Sequence, residues 1–154
     1  MKKILIAICL LLSCLCLQAQ TNKWYLAPEL GITDVGKSSY FHSGITVGYY
    51  PNERPYRIDL NTSYVFNSDN NIFTAAALTT GELRESKWIS TGSLGLGMQK
   101  ISSRDKVDFV YLLGLSSGYQ LTEKLLLGIK VSVTCNVNAE IYPVQSNIFL
   151  AIRL

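Results

Sequence analysis

Few residues in this sequence can cross-link, ligate or carry charge. The chain has 154 residues with four cysteines and one histidine. Cys9, Cys14 and Cys16 crowd into the first twenty positions, so beyond them Cys135 stands alone and an internal disulfide framework is excluded. One histidine and one remaining thiol do not make a metal site, and no motif asks for a cofactor. Charged residues make up 16% of the chain, against about 25% in an ordinary soluble domain. Of the 14 basic residues, Lys2 and Lys3 fall in the leader, which leaves 12 against 11 acidic ones and no electrostatic case for nucleic acid. Nor does any stretch past residue 20 approach the ~18 apolar residues of a membrane helix.

What is present begins with a leader. Lys2 and Lys3 precede the apolar run Ile4 to Leu12, and small and polar residues then lead to Ala19 and Gln20. Residues 1–20 read as a secretory signal peptide and 21–154 as one domain. Leu11-Leu12-Ser13-Cys14 also resembles a bacterial lipobox, in which Cys14 would be acylated; Leu17-Gln18-Ala19 offers a conventional cleavage site instead, and both stay open.

From residue 23 onward the apolar period is two, the period of a strand. It predicts strands over 23–33, 40–50, 56–66, 72–80, 87–99, 107–118, 124–135 and 144–154. The clearest is 56–66, where Tyr56, Ile58, Leu60, Thr62, Tyr64 and Phe66 alternate with Arg57, Asp59, Asn61, Ser63 and Val65. The weakest is 72–80, whose Ala75-Ala76-Ala77 centre fits either register. Turn-forming residues fill the connections 34–39, 51–55, 67–71, 81–86, 100–106, 119–123 and 136–143. Ordinary strands run to about 5 or 6 residues, whereas a tilted bilayer-spanning strand needs about 9 to 11. The expected fold is therefore all-β, an eight-stranded antiparallel up-and-down transmembrane β-barrel.

Charge placement decides which face meets lipid. Within the expected strands, Lys23, Glu29, Arg57, Asp59, Lys87, Asp108, Lys124, Lys130 and Arg153 all occupy the register opposite the apolar face. A charge at the bilayer midplane of a barrel costs ~2 to 4 kcal/mol, so the charge-free face is the lipid face. The other register is rich in Gly, Ser, Thr, Ala and Asn, which suit the narrow interior of an eight-stranded barrel. Glu29, Asp59 and Asp108 nearly balance Arg57, Lys130 and Arg153 there, which predicts an ion-paired plug and not an aqueous pore. With both termini in the periplasm, Trp24, Tyr49, Tyr56, Trp88 and Tyr119 form one aromatic girdle. Phe41, Tyr64, Phe66, Phe73 and Phe109 form the other.

The chain after its leader resembles the small eight-stranded outer-membrane barrels of Gram-negative bacteria, the OmpX-like and OmpA-like transmembrane group. Gly118-Tyr119-Gln120-Leu121-Thr122-Glu123-Lys124-Leu125 is similar to that group's tight periplasmic turn. Ile148, Leu150, Ile152 and Leu154 are similar to the C-terminal strand read by the barrel-assembly machinery, although the family usually ends in Phe and this chain in Leu154. The resemblance implies an outer-membrane location, contact with outer-membrane lipids and lipopolysaccharide, and assembly by that machinery. The barrel is expected as a monomer or as a subunit of an envelope complex.

Candidate chemistry is sparse. His42 beside Ser43 invites comparison with barrel lipid A deacylases, but adjacent strand residues point to opposite faces, whereas a nucleophile and its base must lie within hydrogen-bond reach. Gly95-X-Gly97 sits inside a strand with no helix after it, and Asn61-Thr62-Ser63 is a mid-strand sequon. Lys100, Arg104 and Lys106 flank Asp105 in an exterior connection and offer contacts to lipopolysaccharide phosphates, or simply a solvated loop. The leading expectation is a non-enzymatic outer-membrane barrel with no catalytic, cofactor or metal site, working structurally or through interactions at the cell envelope. The alternatives are a lipid A-modifying barrel enzyme and a soluble periplasmic lipocalin-like binder with an apolar interior.

Overall fold

The structure, a computed structural model, describes residues 23–51, 55–67, 70–138 and 140–154. The expected signal peptide and Cys14 lie outside the described residues. Eight strands follow one another: β1 (Trp24–Val35), β2 (Ser38–Tyr49), β3 (Tyr56–Phe66), β4 (Ile72–Glu85), β5 (Trp88–Ile101), β6 (Val107–Gln120), β7 (Leu125–Cys135) and β8 (Val144–Arg153). Each pairs antiparallel with its sequence neighbours, and β1 closes on β8, giving an up-and-down barrel. Closure pairs the backbone groups that an open sheet leaves bare at its edges. The seam between the first and last strands has one local interruption. It pairs Leu26 with Ile152 and Glu29 with Phe149, while Ala27 and Pro28 between them have no partner on β8. Pro28 has no amide hydrogen to donate, which accounts for the gap.

Several strands outrun the expected bounds. The connection expected over 34–39 shrinks to Gly36 and Lys37, because Val35 pairs with Ser38. Gly36 has φ +64°, the left-handed conformation wanted at the first central position of a type II′ hairpin. Likewise 81–86 is not a connection: β4 continues through Glu85, which pairs with Trp88 across a turn at Ser86 and Lys87. The alternation simply runs on, sending Glu82 inward and leaving Leu83 exposed outside. Asp34, Glu85 and Lys100, expected in connections, thus stand in the outward register, at strand ends only. Lys23, Lys87 and Lys124, expected in strands, lie just outside them.

The barrel is inverted relative to a water-soluble one. Leu30, Ile58, Leu60, Leu94, Leu115, Ile129 and Ile148 are among the exposed large apolar side chains, while Glu29, His42, Asp59, Asn61, Gln99, Asp108 and Asn147 are buried. A polar interior under an apolar exterior is opposite to the lipocalin-like alternative. β4 takes the register that puts Ile72, Thr74, Ala76, Leu78 and Thr80 inside and Phe73 outside. The lumen is consequently not filled by polar groups alone. Val65, Ile72 and Ile101, with Val35, Tyr40 and Ile141 against them, close the end remote from the termini, and Ala76, Leu78, Val110 and Leu112 form a second apolar cluster.

Candidate functional site

Inward charges concentrate in three lumen networks, each assembled from different strands. In the middle, Glu29 of β1 accepts hydrogen bonds from Lys130 Nζ of β7 at 2.8 and 3.0 Å, from Asn147 Nδ2 of β8 at 3.2 Å and from Asn61 Nδ2 of β3 at 3.3 Å. The Thr46 hydroxyl of β2 donates to it as well. A carboxylate with this many donors offsets the cost of leaving water. Gly31 makes room for the arrangement: a Cβ there would lie 2.4 Å from Asn147 Oδ1.

Toward the end that carries the termini, Arg57 Nε donates to both Asp59 oxygens at 3.0 and 3.1 Å, and Arg57 Nη1 reaches Glu82 Oε2 at 3.4 Å. The Tyr50 hydroxyl donates to the same Glu82 oxygen at 2.9 Å, and Thr80 Oγ1 donates to Asp59 at 2.7 Å. The guanidinium lies over the Tyr25 ring, 4.5 Å from its centre. Gly48 permits this, since a Cβ there would meet the Tyr25 ring at 1.7 Å. Arg84 approaches the second Glu82 oxygen at 3.6 Å.

At the opposite end Asn136 Nδ2 donates to Gln99 Oε1 at 2.7 Å and to Asp108 Oδ2 at 3.1 Å. Asp108 finds its cation in Arg104, at 3.6 Å.

Against the six charges expected to form a single network, the structure brings Glu29 to Lys130 and Arg57 to Asp59. It pairs Asp108 with Arg104, a loop residue outside that set. Arg153 has no carboxylate within ion-pair distance among the described residues; it lies over the Tyr50 ring, 5.8 Å from the centre. Sequence reasoning missed Glu82 and Arg84 because Gly81 suggested a break, although the alternation beyond it places both inward. Buried Asn61, Asn147 and Gln99 escaped notice because uncharged polar residues do not stand out in a register already rich in them, and buried Asn136 because it opens the expected connection 136–143.

The girdle candidates gather in exposed or half-buried clusters at the two ends. Trp24 meets Tyr49 at a tilt, ring centres 4.7 Å apart, and Trp88 meets Tyr119 edge to face at 5.4 Å near the termini, with Tyr56 exposed at the same end. At the other end Phe66 contacts Tyr64 at 4.7 Å and Phe41 at 5.7 Å, Phe73 is exposed, and Phe109 meets Tyr111 at 5.6 Å.

His42 is fully buried in the lumen, whereas Ser43 belongs to the outward register. Ser63 on β3 is a neighbouring lumen hydroxyl; His42 Nε2 and Ser63 Cβ lie 3.3 and 3.4 Å from the empty Cβ position of Gly44. Both residues are closed to a lipid-sized molecule. In the basic loop, Lys100 Nζ donates to the Arg104 carbonyl and Arg104 Nη1 to the Asn138 carbonyl at 3.3 Å, so this loop is knitted to itself and its neighbour. Among the described residues no three metal-ligating side chains converge.

No protein-family model matches the chain, and no curated protein does. Among solved structures, Neisserial surface protein A superposes with a TM-score of 0.75 over 85% of this chain and 97% of its own, at 12% identity. Ail, the attachment invasion locus protein of Yersinia pestis, does so with a TM-score of 0.60 over 86% and 97%, at 9% identity. The outer membrane enzyme PagL gives 0.54 over 84% and 99%, at 13% identity. At these identities the likeness is one of fold, and that fold is the small eight-stranded outer-membrane β-barrel.

Proposed function

We propose that the chain is an integral outer-membrane barrel with a plugged polar lumen, exported by residues 1–20, whose work is structural or interactive at the cell envelope. The observation that carries this reading is the outward face. Between the aromatic clusters it presents exposed apolar side chains, and among the described residues Asp34, Glu85 and Lys100 are its only charged strand residues, all at strand ends. Eleven residues of β3, at about 3.3 Å each and tilted about 45°, climb about 25 Å, the height of the apolar band of such barrels. Paired aromatics at both ends suit the two bilayer interfaces, with the termini in the periplasm. Outer-membrane lipids and lipopolysaccharide are then its surroundings, and the barrel-assembly machinery its partner during biogenesis. The filled lumen supports a plug: side chains of every strand meet inside it.

The test is fractionation with gel mobility before and after boiling. The protein is expected to need detergent and to shift on heating; solubility without detergent and an unchanged mobility would overturn the membrane reading. In planar bilayers no steady conductance is expected, and a stable large one would refute the plug. Lipid A spectra with and without the gene should be identical, since His42 is enclosed; a changed acyl pattern would establish the enzyme instead.

A further inference from the structure

The lumen contains two adjoining cavities that differ in charge. The inner one offers about 30 Å³ to water centres and is lined by Glu29 and Asp59 against Arg57 and Lys130, which cancel. The outer one, at the mouth beside the termini, offers about 50 Å³ and is lined by four cations, Arg57, Arg84, Lys124 and Arg153, against two carboxylates, Glu82 and Glu123. Within it Arg57 and Arg84 share Glu82, while among the described residues Arg153 faces the Tyr50 ring and no carboxylate. We infer that this vestibule is a binding site for a small soluble oxyanion, a carboxylate or phosphate group, held chiefly by Arg153 and Arg84.

Three observations converge on that ligand. A guanidinium taken partly out of water needs a counter-charge, and the described residues place none within ion-pair distance of Arg153. Its planar fork of N–H donors matches two oxygens of one carboxylate or phosphate. The size also fits: a water needs about 10 to 15 Å³ of such space, so the vestibule has room for about three to five heavy atoms, the size of one oxyanion head group. Excess positive charge in a cleft with low-dielectric walls concentrates anions at its mouth. Calling that mouth periplasmic rests on the function proposed above; the site itself rests on the lumen geometry alone.

The experiment uses the mature chain refolded in a phosphate-free maltoside detergent. Thermal unfolding is followed in inorganic phosphate and in chloride at matched ionic strength, with the ³¹P line width of phosphate read in parallel. Phosphate is expected to raise the midpoint saturably and broaden the line. Arg153→Gln should raise the half-saturating concentration by about tenfold, the worth of one charge-assisted hydrogen bond, while Arg104→Gln at the far end leaves it unchanged. If Arg153→Gln does not refold, Arg84→Gln serves in its place. Equal midpoints in phosphate and chloride would overturn the site. So would a phosphate response that Arg153→Gln and Arg84→Gln leave intact, or protection by added anionic phospholipid without any by free phosphate. Because the titration proceeds whether or not the protein requires detergent, its failure is distinct from failure of the membrane reading.

Discussion

The middle of the lumen and the vestibule beside the termini are built from the same kinds of residue and settle their charge differently. Glu29 and Lys130 neutralise each other, and Thr46, Asn61 and Asn147 donate to the remaining lone pairs of the carboxylate. Among the described residues lining the vestibule cations outnumber carboxylates, and Arg153 rests on an aromatic ring. A saturated pair in the interior fixes how strands meet, because every donor must be in place at once. A surplus charge at a wet mouth fixes nothing and remains available. The same contrast separates a structural network from a site.

The largest effect should come from breaking the saturated pair. Glu29→Ala leaves the Lys130 ammonium buried without a counter-charge and is expected to cost about 3 to 5 kcal/mol in equilibrium unfolding from lipid vesicles. Combining Glu29→Gln with Lys130→Met should recover most of that, since both charges are then gone. A double variant as unstable as the single one would show that the pair is not what the middle of the lumen depends on.

Next comes the outer wall. Leu113 lies outward at the centre of β6, and Leu113→Arg should cost about 2 to 4 kcal/mol in a bilayer. If that face met water, the same change would be nearly silent.

The smallest effect should be in the vestibule. Without added anion, Arg153→Gln loses only its contact with Tyr50 and should change stability by about 0.5 to 1 kcal/mol. A loss as large as that of Glu29→Ala would make Arg153 part of the structural network and erase the contrast.

Legibility in the sequence followed the range of the interactions. The alternation of Tyr56 to Phe66 is a property of neighbouring residues and revealed its two faces at once. Ala75-Ala76-Ala77 concealed the register of β4, because three identical side chains fit both faces. Packing chose, placing Ile72 with Val65 and Ile101. The end of β4 was misread because Gly81 is a turn residue by habit, yet here it is paired in mid-strand with Tyr56 and Gly92. The true turn falls at Ser86, with φ +56°, a conformation that glycine and asparagine usually advertise and serine does not.

By itself the sequence determined the strands, the inward face of every one but β4, and hence an all-β barrel with charge inside, because period and composition are local. Only the tertiary structure decided which inward charges meet. Glu29 and Lys130 are 101 residues apart, and they touch because β1 closes on β8 and β7 lies beside it. Arg153 is left with the Tyr50 ring, 5.8 Å from its centre, for the same reason, whereas Asp108 turns to Arg104 only four residues away. Closure and strand stagger set the height of each side chain in the lumen, and no local pattern encodes that height.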